Sequence, residues 1–342
     1  MSNAEGRKWI TAEVDEERAT ALTSELSLPL PVSRVLVSRG FADAEAAGRF
    51  LKPRLSDLTD PFDMEGMSAA VDRVWKALDA GARITVFGDY DADGVTSTAL
   101  LMLVLRRLGA TPEYYIPSRQ DDGYGLTVDA ITKAIERTTP DLIITVDCGT
   151  NSCEAVNFAS QQGIDVIVTD HHECKTPPSD AVAVVNPKLG TLDAVKMLAG
   201  VGVAFKLCHG LIKRGNDLVA PRVEGVDLRD YLDLVALGTV SDVVPLLDEN
   251  RTLVRHGLAR IKRSARCGLQ ALIRVAGVRT EIDCYHLGFL LGPRINAAGR
   301  LGSAEPALEL LLCEDAAAAR RLAGQLNAAN SERKRIEEQI IA

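Results

Sequence analysis

Three short segments place carboxylates and imidazoles where they could do chemistry. Residues 88–94 read GDYDADG and set Asp89, Asp91 and Asp93 at alternate positions. Residues 146–152 read VDCGTNS, with Asp147 directly after an apolar run. Residues 169–173 read TDHHE and bring His171 and His172 beside Asp170. Asp242 follows the apolar stretch 231–240. Carboxylates this close repel one another, and a hard cation relieves the repulsion. Mixed Asp and His ligation suits Mn2+ or Mg2+ better than a thiolate-seeking metal. Two such ions side by side activate a water and stabilise the leaving oxygen in phosphoryl transfer, and Asp147 on the central strand is placed to bridge them.

The first segment taken alone has three readings. D-x-D-x-D-G begins a calcium loop, but such a loop needs a Glu six positions after its Gly, where Leu100 stands. A strand also precedes it where a calcium loop has a helix. The bland reading is a solvated turn with Asp capping the next helix. The third is a metal site at the carboxyl end of a parallel strand. The second and third segments favour the metal site, because three strands then deliver Asp or His to one edge. Two of the five His in the chain stand together in the third. Asp242 by itself is an ordinary helix-end residue. Gly200-Val201-Gly202 lacks the third Gly of a nucleotide fingerprint and reads as helix packing.

Elements of two kinds must position these groups. Apolar runs at 83–87, 113–116, 142–146, 166–168 and 182–185 alternate with helical stretches at 97–108, 128–137 and 152–162. Continuous apolar strands separated by helices predict an α/β fold, a parallel five-stranded sheet with helices on both faces. Residues 1–80 read as a helical, mostly polar N-terminal segment, and 198–213 and 229–240 as further helices. Residues 316–342 form one long helical pattern without a cap, which predicts that the natural chain continues. The expected divisions are 1–80, a catalytic region 81–250, its remainder 251–315, and the helix 316–342.

Composition narrows the class. The hydrophobic fraction of 46% and charged fraction of 25% are those of a folded globular protein. A net charge of -8 argues against a module that grips nucleic acid by bulk charge, though a metal site itself lowers the formal charge. The seven Cys show no C-x-x-C pair, which argues against structural zinc and for reduced thiols in the cytoplasm. The run 100–105 is too short to span a bilayer, and no apolar signal core opens the chain.

The segments at 88–94, 146–152 and 169–173, with ALGTVSDVVPL at 236–246, resemble the four motifs of the DHH phosphoesterase superfamily. IPSRQDDGYGL at 116–126, GPRINAAGRLG at 292–302, and the N-terminal SRGFADAEAAGRFLKP and LTDPFDM are similar to its single-stranded-DNA 5′→3′ exonuclease branch. The resemblance implies metal ligation by Asp91, Asp93, Asp147, His171 and Asp242. It places Asp89 and His172 in or beside the cluster, with His172 as proton donor. Spacing does not rank Asp89 against Asp91 as the direct ligand. Arg119 and Arg294 are implied as phosphate contacts, suited by the planar guanidinium fork. Tyr124 would stack on a base, and Asn296 and Arg300 would orient the strand. Small residues at 297–299 would let a backbone approach closely.

The resemblance also implies DNA repair or recombination as the setting. A monomer is expected, with single-stranded DNA as substrate and a single-stranded-DNA-binding protein or helicase as partner. The long helix would lead to an absent DHH-associated domain. Other members offer alternatives, an oligonucleotide or cyclic-dinucleotide phosphodiesterase or an inorganic pyrophosphatase. The last carries a His before its paired Asp residues, where Phe87 and Gly88 stand. A replication-complex scaffold that has lost its ligands is the reading from another class, and here every suspected ligand is present.

Overall fold

Five apolar runs become the strands of one parallel sheet in the computed structural model, which describes residues 12–118, 123, 125–218 and 223–341. They are β1 (Ile84–Gly88), β2 (Glu113–Tyr115), β3 (Leu142–Val146), β4 (Asp165–Thr169) and β5 (Ala183–Val185). Their order is β2-β1-β3-β4-β5, and every neighbouring pair is parallel. β1 and β3 are buried along their whole length, which is why they read as unbroken apolar runs rather than alternating ones.

Helices in chain order are α1 (Glu16–Leu26), α2 (Leu30–Ser38), α3 (Ala44–Leu51), α4 (Met67–Ala80), α5 (Ala92–Arg107), α6 (Val128–Thr138) and α7 (Cys153–Gln161). There follow α8 (Gly200–Asn216), α9 (Leu232–Ser241), α10 (Asp248–Ile261), α11 (Cys267–Val275), α12 (Gly292–Leu301), α13 (Glu305–Leu312) and α14 (Ala316–Ile341). The chain divides into two units, Met1–Asp57 and Leu58–Ala342. The smaller holds α1–α3 around Leu22, Leu36 and Ala47. In the larger, α6 and α7 cover one sheet face, burying Ile131, Ala134, Val156 and Ala159 against Phe87, Ile143 and Val168. Helices α4, α5 and α8 lie against the sheet as well, with α4 on β5 and α8 on β3 and β4. The smaller unit ends at Asp57, and α4 packs on β5 and α8 within the larger.

One difference from expectation lies at α5. It begins at Ala92, five residues before the expected start, because the Asp91 carboxylate accepts from the Asp93 and Gly94 amides and caps it. The acidic turn is thus partly a helix terminus. Helix α14 is no free connector over its first half, since Leu322, Ala323 and Leu326 are buried and it packs on α11, α12 and α13. No described helix is long and apolar enough to cross a membrane.

Candidate metal centre

Strand order and register build the site. A doubly wound sheet opens a crevice where its winding reverses, here between β1 and β3, at the carboxyl ends of the strands. Gly88 pairs with Val146, and Val146 with Thr169. The next residue on each strand is an aspartate, so Asp89, Asp147 and Asp170 follow one another along the crevice edge. Asp147 has φ 62, a left-handed conformation that Asp tolerates better than most residues. Such strain persists where surrounding structure fixes it.

Two groups of donors adjoin at Asp147 and His171. Ligand atoms of Asp89, Asp91 and Asp147 lie within 4.8 Å of one another, as do those of Asp93, His171 and Asp242. The imidazole Nε2 of His171 is 3.1 Å from Asp147 Oδ1, 3.7 Å from Asp242 Oδ2 and 3.8 Å from Asp93 Oδ2. Yet Nε2 of His171, Oδ1 of Asp147 and Oδ2 of Asp242 are buried and make no hydrogen bond. The ring's bond to the Leu198 carbonyl must therefore use Nδ1, which leaves the Nε2 lone pair facing carboxylate oxygens. Acceptors gathered in this way, with no hydrogen bond joining them, fit a cation, and their oxygen and imidazole character fits Mn2+ or Mg2+.

The ionisation of the cluster says the same. Burial, with Asp91 beside it, pushes Asp89 up to about 7. Burial and Asp91 raise Asp242 to about 6. Asp93 and Asp147 are pushed well above the carboxylate range by burial first and neighbouring carboxylates next. Burial, aided by the charge of His172, pushes His171 down to about 4. Asp170 goes the other way. Burial pushes it up, but the bond and charge of His172 and the Thr150 amide outweigh this and hold it at about 2.

A pH dependence follows for the metal-free chain. Carboxyls whose folded pKa exceeds the unfolded value near about 3.9 hold protons that the unfolded chain has lost. They cost stability as pH rises through about 4 to 7. His171, depressed to about 4, works oppositely up to about 6.5, as does the depressed His209, while the raised His172 acts with the four carboxyls. The melting temperature of the chelator-treated chain should fall from about pH 5 to about pH 8, and Mn2+ should raise it more at the higher pH. A melting temperature that rises over that interval without metal would refute this account.

Residues outside the suspected ligand set hold its members in place. The amides of Gly200 and Val201, at the start of α8, donate to Asp93 at 2.6 and 2.9 Å. A Cβ on Gly200 would lie 2.6 Å from Asp147 Oδ1. Gly200-Val201-Gly202 thus seats two carboxylates, beyond the helix packing expected of it. The Asp170 carboxylate accepts from the His171, His172 and Thr150 amides and bonds His172 Nδ1 at 2.8 Å. An ionised Asp170 only accepts, so Nδ1 carries the proton. That bond raises the pKa of His172. Buried Asn186, after β5, donates to the His172 carbonyl and to Thr150 Oγ1. Asn250 donates to the Met197 and Pro245 carbonyls, pinning the segment that carries Asp242.

The expected substrate residues fall differently. Arg119 and Tyr124 lie outside the described residues. Arg294 donates to Asn327 Oδ1 of α14 and to the Leu290 carbonyl, so its guanidinium is engaged within the chain. Asn296 Oδ1 accepts from the Ala92 amide and ties α12 to the start of α5. A Cβ on Gly299 would meet the Tyr90 carbonyl at 2.5 Å, so the close approach expected at 297–299 is made by the chain's own backbone. Arg300 is exposed.

Comparison with known proteins agrees with this geometry. Residues 83–239 match the DHH family, N-terminal domain. The chain is 41% identical over 331 residues to the single-stranded-DNA-specific exonuclease RecJ of Bacillus subtilis, covering 96% of this chain and 40% of that protein. It spans about half of the length of such relatives, 40% of this one and 56% of the RecJ of Escherichia coli. A solved exonuclease RecJ bound to manganese is 41% identical with a TM-score of 0.74, covering 84% of this chain and 70% of that one. RecJ from Thermus thermophilus in complex with Mn2+ is 37% identical, with a TM-score of 0.81, covering 96% of this chain and 46% of that one. The Thermus protein has also been solved with Mg2+. Five parallel strands in doubly wound order, aspartates at three adjacent strand ends and 41% identity to a solved RecJ that it largely covers place the chain in the DHH family, among the RecJ proteins.

Proposed function

We propose that the chain is a two-ion phosphodiesterase that cleaves single-stranded DNA from its 5′ end. The observation that carries this is the convergence of Asp147, His171 and Asp242 through buried atoms that no hydrogen bond satisfies. Similarity to single-stranded-DNA-specific exonucleases supports the substrate. Asp89, Asp91 and Asp147 would hold one ion and Asp93, Asp147, His171 and Asp242 the other. Bound there, Mn2+ or Mg2+ supplies an activated water and neutralises charge on the leaving oxygen.

The chain's own groups do the rest. The Asp170 carboxylate fixes the His172 tautomer and raises the pKa of the ring. His172 lines the cavity beside the centre, of about 910 Å³, and can pass a proton to the departing 3′ oxygen. Asn186 holds the backbone of His172 in place.

The test is cleavage of a long 5′-phosphorylated single strand, its duplex, di- to pentanucleotides and a cyclic dinucleotide, each with Mn2+ and with chelator. Metal-dependent release of mononucleotides from the long single strand is expected. Cleavage confined to the short or cyclic substrates would replace this reading with that of a small-oligonucleotide phosphodiesterase. Cleavage undiminished by chelator would remove the metal mechanism.

A further inference from the structure

We propose that Lys188 is a phosphate-binding residue of this site, contacting a non-bridging oxygen of the strand seated in the cavity beside the metal centre. The inference rests on the phosphodiesterase reading above. Asp147, His171 and His172 line that cavity on one side, and the first residues of α7 on another. Lys188 is the only Lys or Arg among its described lining residues. A polyanion drawn toward a nest of carboxylates needs a counter-charge that is not itself a ligand, and a flexible ammonium serves.

The position of Lys188 is fixed while its charge is free to change partner. Asn186 Oδ1 accepts from the Lys188 amide at 2.9 Å, and the same buried side chain donates to the His172 carbonyl. One residue thus sets Lys188 and His172 relative to each other. The ammonium meets Glu173 Oε1 at 3.1 Å, but that carboxylate's side chain is 86% exposed. Exposed pairs of this kind are weak and easily exchanged for a better anion. Lys206 shows what a structural lysine looks like in this chain. It is fully buried and bound to both Glu249 oxygens and the Thr59 carbonyl. Helix α7, whose first turn is not capped by the Ser152 side chain, turns its positive end to the same cavity.

Lys188→Met and Lys188→Arg separate this role from a structural one, because the two readouts move in opposite directions. Removing a cation from beside the ligands should leave Mn2+ affinity unchanged or tighten it severalfold. The same variant should lose about ten- to hundredfold in kcat/KM on single-stranded DNA, the span of one charge-assisted hydrogen bond. Lys188→Arg should recover most of that loss, and Glu173→Gln should cleave at least as well as wild type. Wild-type cleavage by Lys188→Met, or Mn2+ affinity and melting temperature that fall in step with activity, would overturn the proposal. If the wild-type chain cleaves no phosphodiester, the parent reading fails by itself. Lys188 is then judged by inorganic phosphate binding to the Mn2+-loaded chain, where equal affinity of wild type and Lys188→Met overturns it.

Discussion

Asp147→Asn should abolish metal-dependent cleavage and leave the metal-free chain at least as stable as wild type. Asp147 belongs to the group with Asp89 and Asp91, and its Oδ1 lies 3.1 Å from His171 Nε2 of the other, so one substitution removes an anion that faces both. Loss of a residue that merely supports a ligand costs about ten- to a hundredfold. A bridging carboxylate should cost more than about a hundredfold in activity, and in Mn2+ affinity as well. Stability should move the other way. The Asp147 carboxyl is buried among Asp93, Asp91 and Asp89, which oppose its ionisation without metal. Asn keeps the shape, drops the charge, and accepts φ 62 better than Ala would. Thermal unfolding with chelator should place the variant level with or above wild type, and added Mn2+ should raise only wild type. An Asp147→Asn chain that still cleaves, or that melts well below wild type without metal, would sink the assignment of Asp147 as the shared ligand.

Gly200→Ala should damage the same centre from outside it. The backbone there is not left-handed, so alanine meets no conformational objection. It meets a steric one, since its methyl would lie 2.6 to 2.8 Å from three atoms of the Asp147 side chain. Either Asp147 leaves its position or α8 shifts, and a shift of α8 withdraws the two amides that hold Asp93. A displacement of about 1 Å at a reacting centre costs about a hundredfold in rate. Isothermal titration with Mn2+ gives a readout independent of substrate, and weaker ion binding with a near-native circular dichroism spectrum is the expected result. Wild-type Mn2+ affinity in Gly200→Ala would show that the site yields to the methyl at little cost.

These two positions also mark how far the site could be read before the fold was known. Asp147 was legible because a buried parallel strand is an unbroken apolar run, and the residue after it falls at the ligand-binding edge. The same logic puts Asp89 and His171 at that edge, where the strand ends carry them. Gly200 was legible only as a glycine. Its partner Asp147 is distant in the chain, and no local pattern records that contact. Asn186 and Asn296 escaped for a similar reason. Asn296 sits in a motif expected to face substrate, and the structure turns it onto the Ala92 amide. The start of α5 was misplaced because Asp91 is a cap and a candidate ligand at once, and period alone does not distinguish the two.

The sheet also divides its labour by position. Its three inner strands have five residues each and carry Asp89, Asp147 and His171 at their ends, while the outer two have three residues each. The outer strands feed the cavity wall instead, β2 through the segment that reaches residues 125–128 and β5 through Asn186 and Lys188. An inner strand is locked by neighbours on both sides, so its end tolerates little drift. An outer strand has one neighbour and a long excursion behind it. Inheritance and redesign therefore have unequal freedom here. The ends of β1, β3 and β4 have less room to move than the cavity wall that follows β2 and β5.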